Sequence, residues 1–75
     1  MKLIRYKTKD GEDMYINPHY VESIKGVYSE YNNDWCIVLN LDINHNNIVV
    51  LPFKDEDSYK MKMNEIVYCM ESINE

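Results

Sequence analysis

Two histidines, two cysteines and one run of acids are the side chains from which chemistry would have to be built here. A metal centre or a nucleophile–base pair needs such groups to converge. His19 follows a proline, and His45 sits in a polar stretch between two apolar runs. Neither has a partner at the spacing of a zinc site or beside a nucleophile, so both read as turn and loop residues. Cys36 and Cys69 are too few for a disulfide framework. They read as reduced thiols serving as small hydrophobes. An activated thiolate would need a basic neighbour or a helix start, and neither residue has one. The acidic run Asp55, Glu56, Asp57 lacks the alternating ligands and central glycine of a calcium loop. Its simplest role is to open a helix, and a second reading is an acidic surface that mimics phosphate. No catalytic residue, cofactor or metal ligand is therefore expected, and the chain reads as a non-enzyme.

Seven tyrosines in 75 residues are the most unusual feature of the composition. Tyr6 and Tyr59 fit a core. Tyr15, Tyr20, Tyr28, Tyr31 and Tyr68 exceed what one small core can bury. Exposed tyrosine offers large contact area with a polar tip to a protein partner, and a stacking platform to bases. AT-rich coding also raises Tyr, Asn, Ile and Lys together, which discounts this signal.

The formal net charge is −5, from 8 basic and 13 acidic residues. It is unevenly spread. Lys2, Arg5, Lys7 and Lys9 stand in the first nine residues without an acid, and the remaining 4 basic and 13 acidic residues sum to −9. Such a domain repels nucleic acid at long range. No apolar run is long enough to span a bilayer, and MKLIRYKTKD lacks the apolar stretch of a signal peptide. A cytoplasmic location without membrane contact is expected.

The elements that would position these residues centre on Trp35 to Phe53, which reads as a β-hairpin. Pairing Ile37 with Phe53, Leu39 with Leu51 and Leu41 with Val49 puts the apolar residues on one face. It leaves Asn44, His45 and Asn46 as the loop. A first hairpin pairs Ile4 with Ile16 and Tyr6 with Met14, with Gly11 in the left-handed turn position. On its other face Lys7 meets Asp13, and Arg5 meets Tyr15 in a cation–π contact. Asn17-Pro18 ends the second strand. A third strand follows, with Gly26 expected at a bulge. From Asp55 the period changes, and Tyr59, Met63, Ile66, Met70 and Ile73 form a helical stripe that Val67 widens.

The expected architecture is α+β. One domain spans 1–75, an antiparallel β-meander of four to five strands (about 2–8, 12–17, 21–29, 35–42 and 47–53). One C-terminal amphipathic helix (about 56–73) packs on one face. The segment Lys2 to Lys25, with Ile16-Asn17-Pro18 before Val21 and Ile24, resembles the FlbD-like family of small flagellar and swarming-motility proteins, and similar small phage proteins. The resemblance implies the same strand order and closing helix and brings no catalytic residue. The Asn-rich stretch Asp42 to Asn47 and the longer loop at Tyr31 depart from that family's pattern.

One helix covers one sheet face. The other is expected to expose Leu3, Arg5, Tyr15, Val38, Ile48 and Val50, together with Lys7, Cys36 and Asn40, an apolar patch with a basic, aromatic edge. The functional expectation is a small protein-binding regulator or inhibitor without chemistry of its own. By profile it is phage or mobile-element encoded and directed at a host defence protein, with a homodimer through this face or through edge strands. The competing expectation is a single-stranded nucleic-acid binder using the Tyr- and Arg-bearing face, disfavoured by charge.

Overall fold

The computed structural model describes residues 2–41 and 47–74. Strands β1 (Ile4–Lys7), β2 (Asp13–Ile16), β3 (Val21–Ser29), β4 (Asp34–Leu41) and β5 (Asn47–Phe53) precede helix α1 (Glu56–Glu71). Short 3-10 turns occupy Pro18–Tyr20 and Ser72–Asn74. The fold is α+β, with five antiparallel strands and one helix near the C-terminus.

The strands form two sheets rather than one continuous meander: β1 with β2, and β3-β4-β5 in sequence order. The break falls where Pro18, which is buried, starts a 3-10 turn capped by Asn17. The Asn17 side chain accepts from the His19 amide at 2.9 Å, turning the chain out of the ladder.

The first hairpin has the register that local rules dictate. Ile4 faces Ile16, Arg5 faces Tyr15, Tyr6 faces Met14 and Lys7 faces Asp13. Gly11 has φ 83°, the left-handed conformation its turn requires. The central hairpin differs. Ile37 pairs with Leu51, Leu39 with Val49 and Leu41 with Asn47, two residues from the expected pairing. Side chains alternate with a period of two, so this shift keeps every residue on its expected face. Alternation alone therefore does not distinguish the two registers. The loop of Asn44, His45 and Asn46 lies outside the described residues.

The expected bulge at Gly26 is instead at Glu22, where the pairing shifts between Val21 and Ser23. Gly26 serves another purpose. A Cβ built on it would lie 1.9 Å from the Tyr59 hydroxyl and 3.1 Å from Met63 Cε. The bare backbone is the seat on which the first turn of α1 rests. Trp35 closes this end, edge-on to Tyr28 at 4.8 Å and tilted against Tyr59 at 5.3 Å.

Asp55 caps α1. Its carboxylate accepts from the Ser58 amide at 2.9 Å and the Ser58 hydroxyl at 2.6 Å. The helix lies against β4, β5, β1 and the first 3-10 turn. Ile37, Leu39, Leu51, Ile66 and Cys69 are buried between sheet and helix, joined by Ile4 and Ile16 from the first hairpin. Burial is worth about 1.5–3 kcal/mol for each large aliphatic side chain. One helix thereby closes a single core over both sheets.

Main-chain contacts tie the N-terminal strand to this helix. The Ser72 hydroxyl accepts from the Lys2 amide at 3.2 Å and donates to the Cys69 carbonyl at 2.8 Å. The Cys69 thiol lies 3.7 Å from the Leu3 carbonyl, and the Lys62 ammonium donates to the Arg5 carbonyl. The Arg5 carbonyl of β1 and the Leu3 carbonyl just before it are thus met by side chains of the helix instead of by a further strand.

Candidate interaction surfaces

Among the described residues the chemistry-bearing side chains do not converge. His19 is exposed at the 3-10 turn. His45 lies outside the described residues. Among the described residues no group of three or more His, Cys, Asp or Glu side chains could hold a metal ion. Cys69 is buried in the core, where desolvation pushes its thiol pKa up. Cys36 is half-buried on the sheet face away from the helix. The acids at the helix start have local partners. The hydrogen bonds from Ser58 hold Asp55 below the usual carboxylate range, and Glu56 pairs with Lys60 at 3.0 Å. Hydrogen bonding to Glu56 in turn raises the Lys60 pKa. Asp57 is exposed in the same first turn.

The division into two sheets divides the expected interface. Leu3, Arg5 and Tyr15 are exposed at the first hairpin, whereas Val38, Ile48 and Val50 lie on the outer face of the three-stranded sheet. The expected Arg5–Tyr15 cation–π contact is replaced by an ion pair. Arg5 Nε is 3.4 Å from Asp13 Oδ1, and Lys7 Nζ is 3.8 Å from the same oxygen. A carboxylate two residue pairs along the ladder, on the same face, attracts the guanidinium more strongly than a neutral ring does. A cation–π contact places Lys2 over Tyr68, 4.9 Å from the ring centroid.

The outer face of the three-stranded sheet is aliphatic. The register sets Val27, Cys36 and Pro52 in one row across the strands, and Val38 directly opposite Val50 in the next. Ile48 and Val50 are 60% and 52% exposed. Polar residues border the β3 side, where Lys25 stands beside Val38 and the Asn40 amide donates to the Ser23 hydroxyl at 2.8 Å. Val27 belongs to this patch, and the sequence alone left it unplaced because the third strand had no legible register. The aromatic residues of this sheet, Tyr28, Trp35 and Phe53, lie on the opposite, helix-facing side. Tyr31 is fully exposed in the β3–β4 turn. Asn33 turns that loop in a left-handed conformation with φ 54°. Lys54 braces it through Asp34 at 2.5 Å and the Asn32 carbonyl at 3.2 Å.

A cavity of about 490 Å³ opens between the two sheets. Arg5, Tyr6 and Lys7 form one wall, Leu51, Pro52 and Phe53 the other, with Lys62 and Glu65 of α1 as the floor. Lys62 and Glu65 pair at 3.0 Å. A sequence signal for this site did exist: Lys62 falls one turn before Ile66, on the flank of the apolar stripe, where a solvated lysine is out of place.

No helix among the described residues is long and apolar enough to cross a membrane. Comparison with protein-family models finds no match, and neither does comparison with curated proteins or with solved structures.

Proposed function

We propose that this protein is a small, non-catalytic protein-binding regulator that acts as a homodimer through the outer face of its three-stranded sheet. The observation that carries this reading is the uncovered aliphatic patch of Val27, Val38, Ile48 and Val50, opposite the helix-covered face. Lys25 stands at its border, in a chain of net charge −5. An aliphatic patch with little charge is compatible with its own two-fold copy, whereas the acidic remainder of the surface repels one. A domain of this size buries a modest core, and association adds apolar burial to it. A regulator or inhibitor of another protein, of the kind phage and mobile elements encode, needs no catalytic constellation. The resemblance to the FlbD-like family likewise brings none.

The nucleic-acid alternative is weaker on one specific point. A base-stacking sheet needs aromatic side chains on its open face, and here that face is aliphatic. Tyr15 and Arg5 remain on the hairpin, with Arg5 engaged by Asp13.

Sedimentation velocity across a concentration series tests the dimer. The wild type should pass from monomer to dimer within the micromolar range. Val38→Lys should remain folded by circular dichroism and stay monomeric, because it places an unpaired charge at the contact. A wild type that is monomeric at high micromolar concentration removes the second copy as the occupant.

A further inference from the structure

We infer that the cleft between β1 and β5 is a strand-addition site for an extended peptide that alternates apolar and acidic residues. The inference stands on a different surface from the proposed dimer face and does not depend on it. β1 is paired on one side, with β2, and β5 on one side, with β4; the two do not pair with each other. Neither therefore has a strand on its other side; beside β1 the Leu3 and Arg5 carbonyls are met by side chains of α1, contacts that an added strand would replace. Pro52 withholds a donor from the edge of β5. The hydrogen-bonding edge is then β1, where the Arg5 carbonyl is at present met by the Lys62 ammonium. An amide N–H of an incoming strand would take that acceptor, and Lys62 would keep its Glu65 partner.

The two faces of the cleft differ in the way an alternating strand requires. On the inner side lie Tyr6, Leu51 and Phe53, all part of or packed against the core. On the outer side lie Arg5 and Lys7, which share the single carboxylate of Asp13. Successive side chains of an extended peptide point to opposite faces. Apolar side chains would enter against Tyr6 and Phe53, while the residues between them would emerge beside Arg5 and Lys7. Arg5 engages Asp13 through Nε at 3.4 Å. A guanidinium has five N–H donors in a fork that suits carboxylates. Arg5, Lys7 and Lys62 face two carboxylates, Asp13 and Glu65, leaving a local excess of one positive charge in a chain of net −5. That excess is confined to the cleft, so it favours a short acidic segment over a polyanion, which the remaining surface repels. The cavity volume of about 490 Å³ lies within the range of ligand pockets.

The test uses fluorescence anisotropy at ~150 mM salt, where distant charges are screened. The probe is a capped, labelled hexapeptide of alternating leucine and glutamate. Controls replace glutamate by lysine, or leucine by serine. The alternating acidic peptide should bind. Both controls should bind at least tenfold more weakly. Arg5→Glu, on the exposed hairpin face, should weaken the acidic peptide at least tenfold and improve the lysine control. Val38→Lys, on the other surface, should bind like wild type even if it abolishes dimerisation, which separates this site from the dimer face. Three results would each overturn the proposal: no binding at millimolar peptide, equal binding of acidic and lysine peptides, or tighter, Arg5-dependent binding of a single-stranded oligonucleotide.

Discussion

Gly26 decides how close α1 approaches the sheet, and replacing it tests the packing directly. At an ordinary strand position Gly→Ala stabilises by about 0.4–1 kcal/mol, because it restricts the unfolded chain. Here the added Cβ would fall 1.9 Å from the Tyr59 hydroxyl and 3.1 Å from both Tyr59 Cζ and Met63 Cε. Tyr59 must retreat, and its ring is packed at 5.3 Å on Trp35, so the displacement passes into the aromatic cluster. Overpacking of this kind costs about 1–3 kcal/mol. The opposing terms leave a net loss of roughly 1–2 kcal/mol. For a domain of this size that is a fall in Tm of roughly 5–15 °C. The sign alone is informative, since an uncrowded glycine would give a rise. Tyr59→Phe removes the atom at 1.9 Å and leaves the ring carbon at 3.1 Å. Combining it with Gly26→Ala should therefore recover part of the loss, a favourable coupling in a double-mutant cycle. Thermal melts by circular dichroism on the wild type, the two single variants and the double variant supply the numbers. A Gly26→Ala protein that melts at or above the wild-type temperature, or two changes whose effects simply add, would refute the close approach of Tyr59 to this backbone.

Leu39 is fully buried against the helix, and Leu39→Ala should cost about 2–5 kcal/mol; an unchanged urea midpoint would place the core elsewhere. The Asp55 carboxylate is held low in the folded state, so its contribution is present above the ordinary carboxylate range and is lost as pH falls through its folded value. Asp55→Ala should accordingly melt below wild type near neutral pH, with the gap closing below about pH 4; a gap constant with pH would mean that the charge is not what caps the helix. Iodoacetamide should label Cys36 well before Cys69, whose burial raises its thiol pKa, and Cys36 should become slower to react as concentration drives dimerisation. Equal rates for the two thiols would show that the helix opens readily, and a Cys36 rate independent of concentration would count against the dimer face.

Local physics made the first hairpin legible residue by residue. Its turn is short, Gly11 permits the left-handed conformation, and only one register closes the loop. The helix was legible for similar reasons: a change of period, an acidic run at its start, and no interruption by glycine or proline. The central hairpin was legible only to its faces. Several loop lengths between its strands satisfy the same alternation, so the pairing moved by two residues and no side chain changed sides. What the sequence could not decide is how the pieces meet. A buried proline after β2 turns the chain out of the ladder and splits the sheet in two, which separates Leu3, Arg5 and Tyr15 from Val38, Ile48 and Val50. The same split creates the cleft that Lys62 floors, a site assembled from residues 5–7, 51–53, 62 and 65. Such a site depends on the positions of two strand edges relative to one helix. Those positions are set by the shared core of Ile4, Leu39, Leu51 and Ile66 rather than by any local pattern. Gly26 shows the same division: as sequence it signals a bulge, and only the packed helix shows that its missing side chain is the space Tyr59 occupies.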